Sequence, residues 1–226
     1  MNVQKQKVAV VLSGCGVFDG TEIHEAVLTL LAIEEEGATW RCFAPNVEQM
    51  HVVDHLTGEV ESGVNRNVFV ESARISRGAE KLSELAEYDP AEFDAIVFPG
   101  GFGGAKNLSD FAVRGADGEV NDSVAVAVRS THSMGKPIGF ICITPASVGA
   151  LTLGGDGVEL TIGDDSDTAS AVVQCGAKHT NCSVDDVVVD LEHKVVSTPA
   201  YMLGPGVSDV RKGISKLVNE VLALSN

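Results

Sequence analysis

Cys142 has the residue type and the sequence surroundings of a nucleophile. It directly follows the apolar run Ile138–Ile141, which predicts a buried strand, and it shortly precedes Pro145, which suits the first turn of a helix. A side chain on such a strand-to-helix turn is exposed above the sheet, often on a strained backbone. The positive end of the following helix favours thiolate over thiol. We therefore expect an exposed, ionised Cys142, the alternative being a buried apolar cysteine.

Two other segments carry groups that could assist such a cysteine. Pro99–Gly104 is glycine-rich and follows a predicted strand, so its backbone can approach a substrate closely. The N–H groups of Gly101 and Ile143 could face a developing oxyanion. Glu22 and Glu25 open the first predicted helix, where acids are commonly partners of the helix dipole. The functional alternative is that one of these carboxyls, when protonated, donates a hydrogen bond to the thiolate.

The remaining motifs argue against nucleotide, metal and disulfide sites. In Ser13–Gly20, the pattern G-x-G-x-x-G would place its third glycine at Asp19, and no acid ends the second strand to hold a ribose. The cysteines number 5 and none forms a C-x-x-C pair, which disfavours a disulfide framework and a structural zinc site. No histidine pair has metal-ligand spacing. We expect neither a metal nor a cofactor.

Charge and hydropathy argue against two classes of partner. Acidic residues outnumber basic ones by 32 to 16, which gives a formal net charge of -16. Such a surface repels phosphate backbones, so we expect no binding to nucleic acid. No apolar run approaches the roughly 20 residues of a membrane-spanning helix, so no membrane partner is expected. The polar residues Met1–Lys7 show no leader pattern, which favours the cytoplasm, although a removed transit peptide would leave the same start.

The elements that must position these groups are short apolar strands alternating with amphipathic helices. Such alternation predicts right-handed crossovers and an α/β fold, with a doubly wound, mostly parallel sheet in one domain over residues 1–226. Residues 46–79 read as irregular, with a short strand pairing near Asn67–Val70. The predicted strands are Lys7–Leu12, Trp40–Ala44, Asp94–Phe98, Ile138–Ile141, Glu159–Ile162, Asp186–Asp190 and Lys194–Ser197. The predicted helices are Thr21–Glu36, Glu80–Ala86, Val120–Met134, Thr168–Cys175 and Ser208–Leu224.

Five short motifs together resemble a known family. They are SGCGVFDGTEIHE (Ser13–Glu25), FAP (Phe43–Pro45), PGGFG (Pro99–Gly103), AKNL (Ala105–Leu108) and TPAYM (Thr198–Met202). They are similar to the ElbB-like family, whose members are called enhancing lycopene biosynthesis protein or isoprenoid biosynthesis protein with amidotransferase-like domain. The wider group is the PfpI-like superfamily, within the class I glutamine amidotransferase-like fold. The resemblance covers nearly the whole chain.

This resemblance implies a flavodoxin-like three-layer sandwich with a nucleophilic cysteine on the elbow. Cys142 takes the cysteine position and Glu25 the acid position, with Glu22 as the fallback. Many superfamily members have histidine directly after the cysteine, where this chain has Ile143, and glycine next, where it has Thr144. His24 and His179 are the only substitutes that we consider for the missing histidine. The residues expected to bind the oxyanion or substrate are Gly100, Gly101, Ile143, Cys15 and Asn107.

Two functions follow as hypotheses. In the first, the resemblance implies a glyoxalase III- or deglycase-like enzyme, in which Cys142 attacks a small α-dicarbonyl aldehyde, with Glu25 as acid and base and without glutathione or metal. In the second, Cys142 is a redox-responsive thiolate of a non-catalytic regulatory protein, with Cys15 as resolving partner. A glutaminase is a weaker third reading, because it needs a Cys-His-Glu triad. By analogy with relatives, we also expect a homodimer.

Overall fold

The computed structural model describes residues 5–225, and its strands form one seven-stranded and one two-stranded sheet. The strands are β1 Lys7–Val11, β2 Thr39–Ala44, β3 Leu82–Glu84, β4 Ala95–Phe98, β5 Ile138–Ile141, β6 Glu159–Leu160, β7 Lys178–His179, β8 Val188–Asp190 and β9 Val195–Thr198. The helices are α1 Ile23–Glu35, α2 Val68–Ser76, α3 Phe102–Lys106, α4 Phe111–Arg114, α5 Asp122–Ser133, α6 Leu151–Leu153, α7 Ser166–Gln174 and α8 Val207–Leu224.

The large sheet has the order β3-β2-β1-β4-β5-β9-β8 and is parallel except for β8, which pairs antiparallel with β9. The central strands are buried on both faces, as their unbroken apolar sequences predict: every residue of β4 and β5 is buried. Helices cover both faces of this sheet. The predicted fold class, a doubly wound and mostly parallel flavodoxin-like sandwich, is confirmed.

Two apolar cores lie on opposite faces of the sheet, because successive side chains of a strand point to opposite sides. Val8 and Val10 of β1 pack with α1 and α8, whereas Ala9 and Val11 pack on the face that α5 covers. The helix α8 approaches β5 closely: a Cβ on Gly139 would lie 2.9 Å from Cδ2 of Leu217. Both cores are aliphatic in the main, in line with an aromatic content of 5%.

Three predictions differ in the structure. Residues 46–79, which were expected to be irregular, contain the helix α2. The strand pairing near Asn67–Val70 is wrong except for one isolated bridge from Glu48 to Asn67, because Asn67 caps α2 by accepting a hydrogen bond from the N–H of Val70. The helix predicted over Glu80–Ala86 is also wrong. That segment instead forms β3 between two 3₁₀ turns, because pairing with the open edge of β2 overrides its local helix propensity.

The carboxyl ends of β1, β4, β5 and β9 meet at one edge of the large sheet, because these strands are parallel. The loops that follow them therefore converge, as the sequence predicted for Ser13–Gly20 and for the segments after Phe98 and Ile141. Within residues 5–225, none of the helices combines the length and apolar character needed to cross a membrane.

The packing of α8 can be tested by truncating Leu217, which is fully buried against the sheet. Leu217→Ala should lower the free energy of unfolding by about 2–5 kcal/mol, because a cavity adds to the lost apolar burial. Leu191→Ala is the matched control, since Leu191 is 72% exposed and should change stability by no more than about 0.5 kcal/mol. Urea unfolding measures both, and equal losses for the two variants would contradict this packing.

Candidate active site

Cys142 lies on a strained elbow between β5 and the next helical segment. Its φ is 64°, in the left-handed region that non-glycine residues rarely adopt. Its N–H donates to the carbonyl of Thr198 at 3.0 Å, so β9 fixes the elbow from one side. The predicted strained turn is therefore present, and such a conformation costs on the order of 1–3 kcal/mol unless its surroundings impose it.

Thr144 fixes the same elbow from the other side. Its Oγ1 accepts a hydrogen bond from the N–H of Ile141 at 2.9 Å and lies 2.8 Å from the carbonyl oxygen of Phe98, to which it donates. The residue is fully buried. The chain then enters a π-helical turn over Pro145–Ala150, which takes the place of the α-helical start expected at Pro145. Thr144, where superfamily members commonly have glycine, thus has a structural role that the sequence did not reveal.

Glu25 is completely buried in the first turn of α1, with its carboxyl under the elbow. Oε2 accepts a hydrogen bond from the N–H of Gly100 at 2.9 Å, and Oε1 accepts one from the N–H of Tyr201 at 3.1 Å. Burial raises the pKa of Glu25 to about 8, and the charge of Glu22 adds to this, while hydrogen bonds from Tyr201, Cys142 and Gly100 oppose it. At neutral pH this carboxyl is therefore mostly protonated.

The thiol of Cys142 lies against this carboxyl. Glu25 and the backbone N–H groups of Gly101 and Ile143 lie close enough to the sulfur to act on its pKa. A Cβ on Gly100 would lie 2.3 Å from the Cβ of Cys142 and 2.5 Å from Oε2 of Glu25, so only glycine fits at this position. The structure thus brings together five of the predicted site residues.

The expectation of an exposed, ionised Cys142 is wrong. The residue is only 8% exposed, because the glycine loop lies directly against it. Burial raises the pKa of the Cys142 thiol well above its ordinary value, and the negative charge of Glu25 raises it further. The N–H groups of Gly101 and Ile143 lower this pKa without reversing the direction. This direction favours the thiol over the thiolate that the sequence predicted.

Other predicted site residues have structural roles. Glu22 caps α1 by accepting a hydrogen bond from the N–H of Glu25 at 2.7 Å. Asn107 binds protein backbone only: its Nδ2 donates to the carbonyls of Ser13 and Asp19, and its Oδ1 accepts from the N–H of Met50. It therefore holds the loop after β1 in shape.

Cys15, the expected resolving partner, packs against the same apolar cluster that contains Cys142. It is half-buried, and the charges that influence its thiol belong to Arg74, Glu71, Asp19 and Arg66. Burial raises the pKa of the Cys15 thiol.

The two histidines considered as substitutes differ in position. The Nε2 of His179 accepts a hydrogen bond from the N–H of Ile162 at 3.3 Å in the small sheet, and burial lowers the pKa of His179. His24 lies beside the site, with Nδ1 at 2.8 Å from the hydroxyl of Tyr201 and 3.8 Å from Oε1 of Glu22. Among residues 5–225, no histidine hydrogen-bonds to Cys142 or Glu25.

Tyr201 is the main residue that the sequence reasoning missed. Its backbone N–H holds Glu25, and its hydroxyl contacts His24. The preceding Ala200 has a φ of 45°, a left-handed conformation that turns the chain out of β9 towards α1. The sequence signal at this position was the TPAYM motif, which supported the family resemblance but indicated no role for Tyr201. Across residues 5–225, no three His, Cys, Asp or Glu side chains are close enough to hold a metal ion.

Comparison with known proteins shows the family of the chain. It is 46% identical over 228 residues to the human glutamine amidotransferase-like class 1 domain-containing protein 3, mitochondrial, covering 97% of this chain and 83% of that protein. It is 45% identical over 230 residues to the rat ES1 protein homolog, mitochondrial, covering 98% of this chain and 85% of that protein. The chain belongs to this family of ES1-related, amidotransferase-like proteins.

Solved structures agree with this assignment. The Ehrlichia chaffeensis isoprenoid biosynthesis protein with amidotransferase-like domain superposes with a TM-score of 0.90 at 36% identity, covering 98% of this chain and 100% of that one. The resemblance drawn from the five motifs is thereby confirmed. A DJ-1 superfamily protein from Salmonella typhimurium, at 23% identity and a TM-score of 0.55 over 97% of this chain and 88% of that one, shares the fold alone. No protein-family model matches the chain.

The buried Glu25 should make stability depend on pH. Its pKa is about 8 in the folded chain and near 4.3 when unfolded, so the free energy of unfolding should fall by several kcal/mol as pH rises between these values. The free energy of unfolding of Glu25→Gln should differ from that of wild type but should not fall in this way as pH rises. Urea unfolding at pH 5, 6.5 and 8 measures the difference. Glu35→Gln, on the surface, is the control, and a wild-type slope in Glu25→Gln would contradict the raised pKa.

The protonation of Cys142 should show in its alkylation. Because burial and Glu25 raise its pKa, half-maximal iodoacetamide reactivity should require a pH above that of a free thiol, about 8.5. Glu25→Gln removes the negative charge and should move the midpoint to lower pH. Mass spectrometry of the Cys142 peptide measures both shifts. A wild-type midpoint near pH 7 would contradict the structure and restore the thiolate expected from the sequence.

Proposed function

We propose that this chain is a cysteine-dependent enzyme of the glyoxalase III or deglycase type, converting glyoxal or methylglyoxal to the hydroxy acid without glutathione or metal. One observation carries the proposal: a thiol, a buried carboxyl and two backbone N–H groups converge at Cys142. The carboxyl has a pKa of about 8, close to working pH, which suits a group that must both accept and donate protons. The fold shared with DJ-1 superfamily proteins is consistent with this chemistry.

The first step forms a carbon–sulfur bond. The ionised fraction of Glu25 accepts the thiol proton as the sulfur of Cys142 attacks the aldehyde carbon, and the carbonyl π electrons move to oxygen. The N–H groups of Gly101 and Ile143, which face the sulfur, stabilise negative charge there and on the substrate oxygen bound beside it. Glu25 then returns the proton to that oxygen, which gives a neutral hemithioacetal.

The later steps are an internal redox exchange followed by hydrolysis. Glu25 moves the proton from the former aldehyde carbon to the neighbouring carbonyl oxygen, which gives an enediol. It then moves the hydroxyl proton of the first carbon to the neighbouring carbon, which gives a thioester. The first carbon is oxidised and the second reduced, so no external oxidant is needed. Water then attacks the thioester, the carbon–sulfur bond breaks, and the thiol is restored. The sum is addition of one water to the dicarbonyl.

The geometry limits the substrate to small and reactive molecules. Cys142 is 8% exposed and Gly100 lies directly against it, so a bulky acyl group has no path to the sulfur. The missing histidine is tolerable in this reaction, because an α-dicarbonyl is a strong electrophile and Glu25 can exchange protons by itself. We expect slow turnover, because the raised pKa of Cys142 makes its deprotonation costly.

The two alternatives have less support. A redox sensor depends on a thiolate, whereas burial raises the pKa of Cys142 and so favours its thiol. A glutaminase depends on a Cys-His-Glu triad, and no histidine of residues 5–225 bonds to Cys142 or Glu25. Both readings therefore rank below the glyoxalase.

The cellular setting is also a proposal. Relatives in human and rat are named as mitochondrial proteins, so we extend a mitochondrial location to this chain beside the cytoplasmic one expected from its sequence. The Ehrlichia chaffeensis relative is named an isoprenoid biosynthesis protein, and we extend that link in the same way. The homodimer expected by analogy stays a prediction, and sedimentation of the purified chain tests it.

Loss of the sulfur should abolish the reaction. Cys142→Ser should lower glyoxal consumption by at least about 100-fold, because a serine hydroxyl is a far weaker nucleophile without a strong base. Wild-type activity should rise with pH towards about 8 as Glu25 ionises. Proton NMR of glycolate formation, without glutathione and with a chelator present, measures both.

Cys182→Ser is the matched control, because Cys182 is a partly exposed free cysteine and should react with glyoxal only as an ordinary thiol. It should leave glycolate formation unchanged. Equal glycolate formation by Cys142→Ser and wild type would end the proposal, as would consumption of glyoxal without glycolate.

A further inference from the structure

A basic cleft lies at the opposite end of the sheet from Cys142. It has a volume of about 380 Å³ and is formed where β2 begins, since β3 pairs with β2 only from Cys42 onward and leaves Thr39–Arg41 uncovered. Its lining residues are Lys7, Thr39, Trp40, Arg41, Glu80, Lys81 and Phe93. Lys7, Arg41 and Lys81 bring three cations to this cleft in a chain whose net charge is -16. Glu80 also lines it, and two further carboxylates lie beside it: Asp94 accepts from the N–H of Lys7 at 2.7 Å, and Glu34 accepts from Nε1 of Trp40 at 2.9 Å.

These cations have no carboxylate partner within 4.0 Å among residues 5–225. Arg41 donates to two neutral acceptors instead: Oγ of Ser83 at 3.0 Å and the carbonyl of Glu80 at 3.4 Å. These bonds hold the guanidinium at the cleft, and because both acceptors are neutral, they do not neutralise its charge. In a strongly acidic protein, such unneutralised cations repel one another and gain most from an anion bound between them.

Two aromatic rings hold the ammonium groups in place. Nζ of Lys81 lies 4.1 Å from the ring centroid of Trp40, and Nζ of Lys7 lies 5.2 Å from that of Phe93. Such cation–π contacts order side chains that are otherwise mobile, and ordering before binding reduces the entropy cost of holding a ligand. Arginine provides the fork that suits phosphate oxygens, and lysine adds point charge.

We propose that this cleft binds a soluble small molecule carrying a phosphate or diphosphate group, with Arg41, Lys81 and Lys7 as its cationic contacts. A diphosphate suits it best, because its length lets separate oxygens reach separate cations. A nucleic acid does not suit it, because the long polyanion would also cover the acidic surface around the cleft. The cleft lies at the amino ends of the strands, away from Cys142, so this binding is independent of the proposed catalysis.

The protein carries its own reporter for this test. Trp40 is the only tryptophan of the chain, and Lys81 covers its ring. Titration of the full chain with inorganic diphosphate at constant ionic strength should give a saturable change in tryptophan emission as Lys81 turns towards the anion. Calorimetry should give the same Kd. Sulfate at equal ionic strength should bind at least about tenfold more weakly, because it offers less charge.

Variants separate the cleft from general electrostatics. Lys81→Gln and Arg41→Gln should each raise the calorimetric Kd at least about tenfold, whereas Glu80→Gln should lower it because a repelling carboxylate is removed. Lys81→Gln keeps the test valid if Arg41→Gln disturbs β3, since Lys81 has no hydrogen bond to that strand. Lys178→Gln, in the two-stranded sheet, is the matched surface control and should bind as wild type. Cys142→Ser should also bind as wild type.

Three results would overturn the proposal. The first is a linear, unsaturable response to diphosphate that sulfate reproduces. The second is an unchanged Kd in both Lys81→Gln and Arg41→Gln. The third is co-sedimentation with phosphatidylcholine vesicles containing phosphatidic acid that Lys81→Gln abolishes, because that would assign the cleft to a lipid headgroup. Failure of glyoxal turnover would leave this site untouched.

Discussion

The site depends on how the buried carboxyl of Glu25 is held by its neighbours. Two backbone N–H groups, from Gly100 after β4 and Tyr201 after β9, bind its two oxygens, and the thiol of Cys142 lies against it. Three loops and one helix thus meet at a single buried acid. A buried carboxyl needs such partners, because an unpaired one costs several kcal/mol or takes up a proton.

The same constraint explains the backbone strain around the site. Cys142 and Ala200 both adopt left-handed conformations, and Gly100 has no space for a side chain. These residues place three parts of the chain against Glu25: the thiol of Cys142, the peptide N–H that follows Ala200, and the backbone of Gly100. Strain at Cys142 and Ala200 persists because the surrounding sheet is packed and hydrogen-bonded on both faces. The apolar burial in the two cores therefore offsets the free energy of this backbone strain.

Sequence reasoning succeeded where one local pattern determines the outcome. The unbroken apolar runs of β1, β4 and β5 predicted the parallel sheet, and the glycines before α3 predicted a close loop. It failed where tertiary contact decides. Burial of Cys142 depends on how closely Gly100 approaches, β3 depends on an open strand edge, and the role of Tyr201 depends on a fold that brings residues 25 and 201 together. None of these contacts can be predicted from a short stretch of sequence.

The two hydrogen bonds to Glu25 span 75 and 176 residues of chain. Contacts of such separation form only after most of the sheet has assembled, because the entropy of closing long loops must be met first. A chain that lacks β9 and the segment after it would lose the bond from Cys142 to Thr198 and the bond from Tyr201 to Glu25. Its Cys142 would then be an ordinary thiol, no longer buried against a carboxyl.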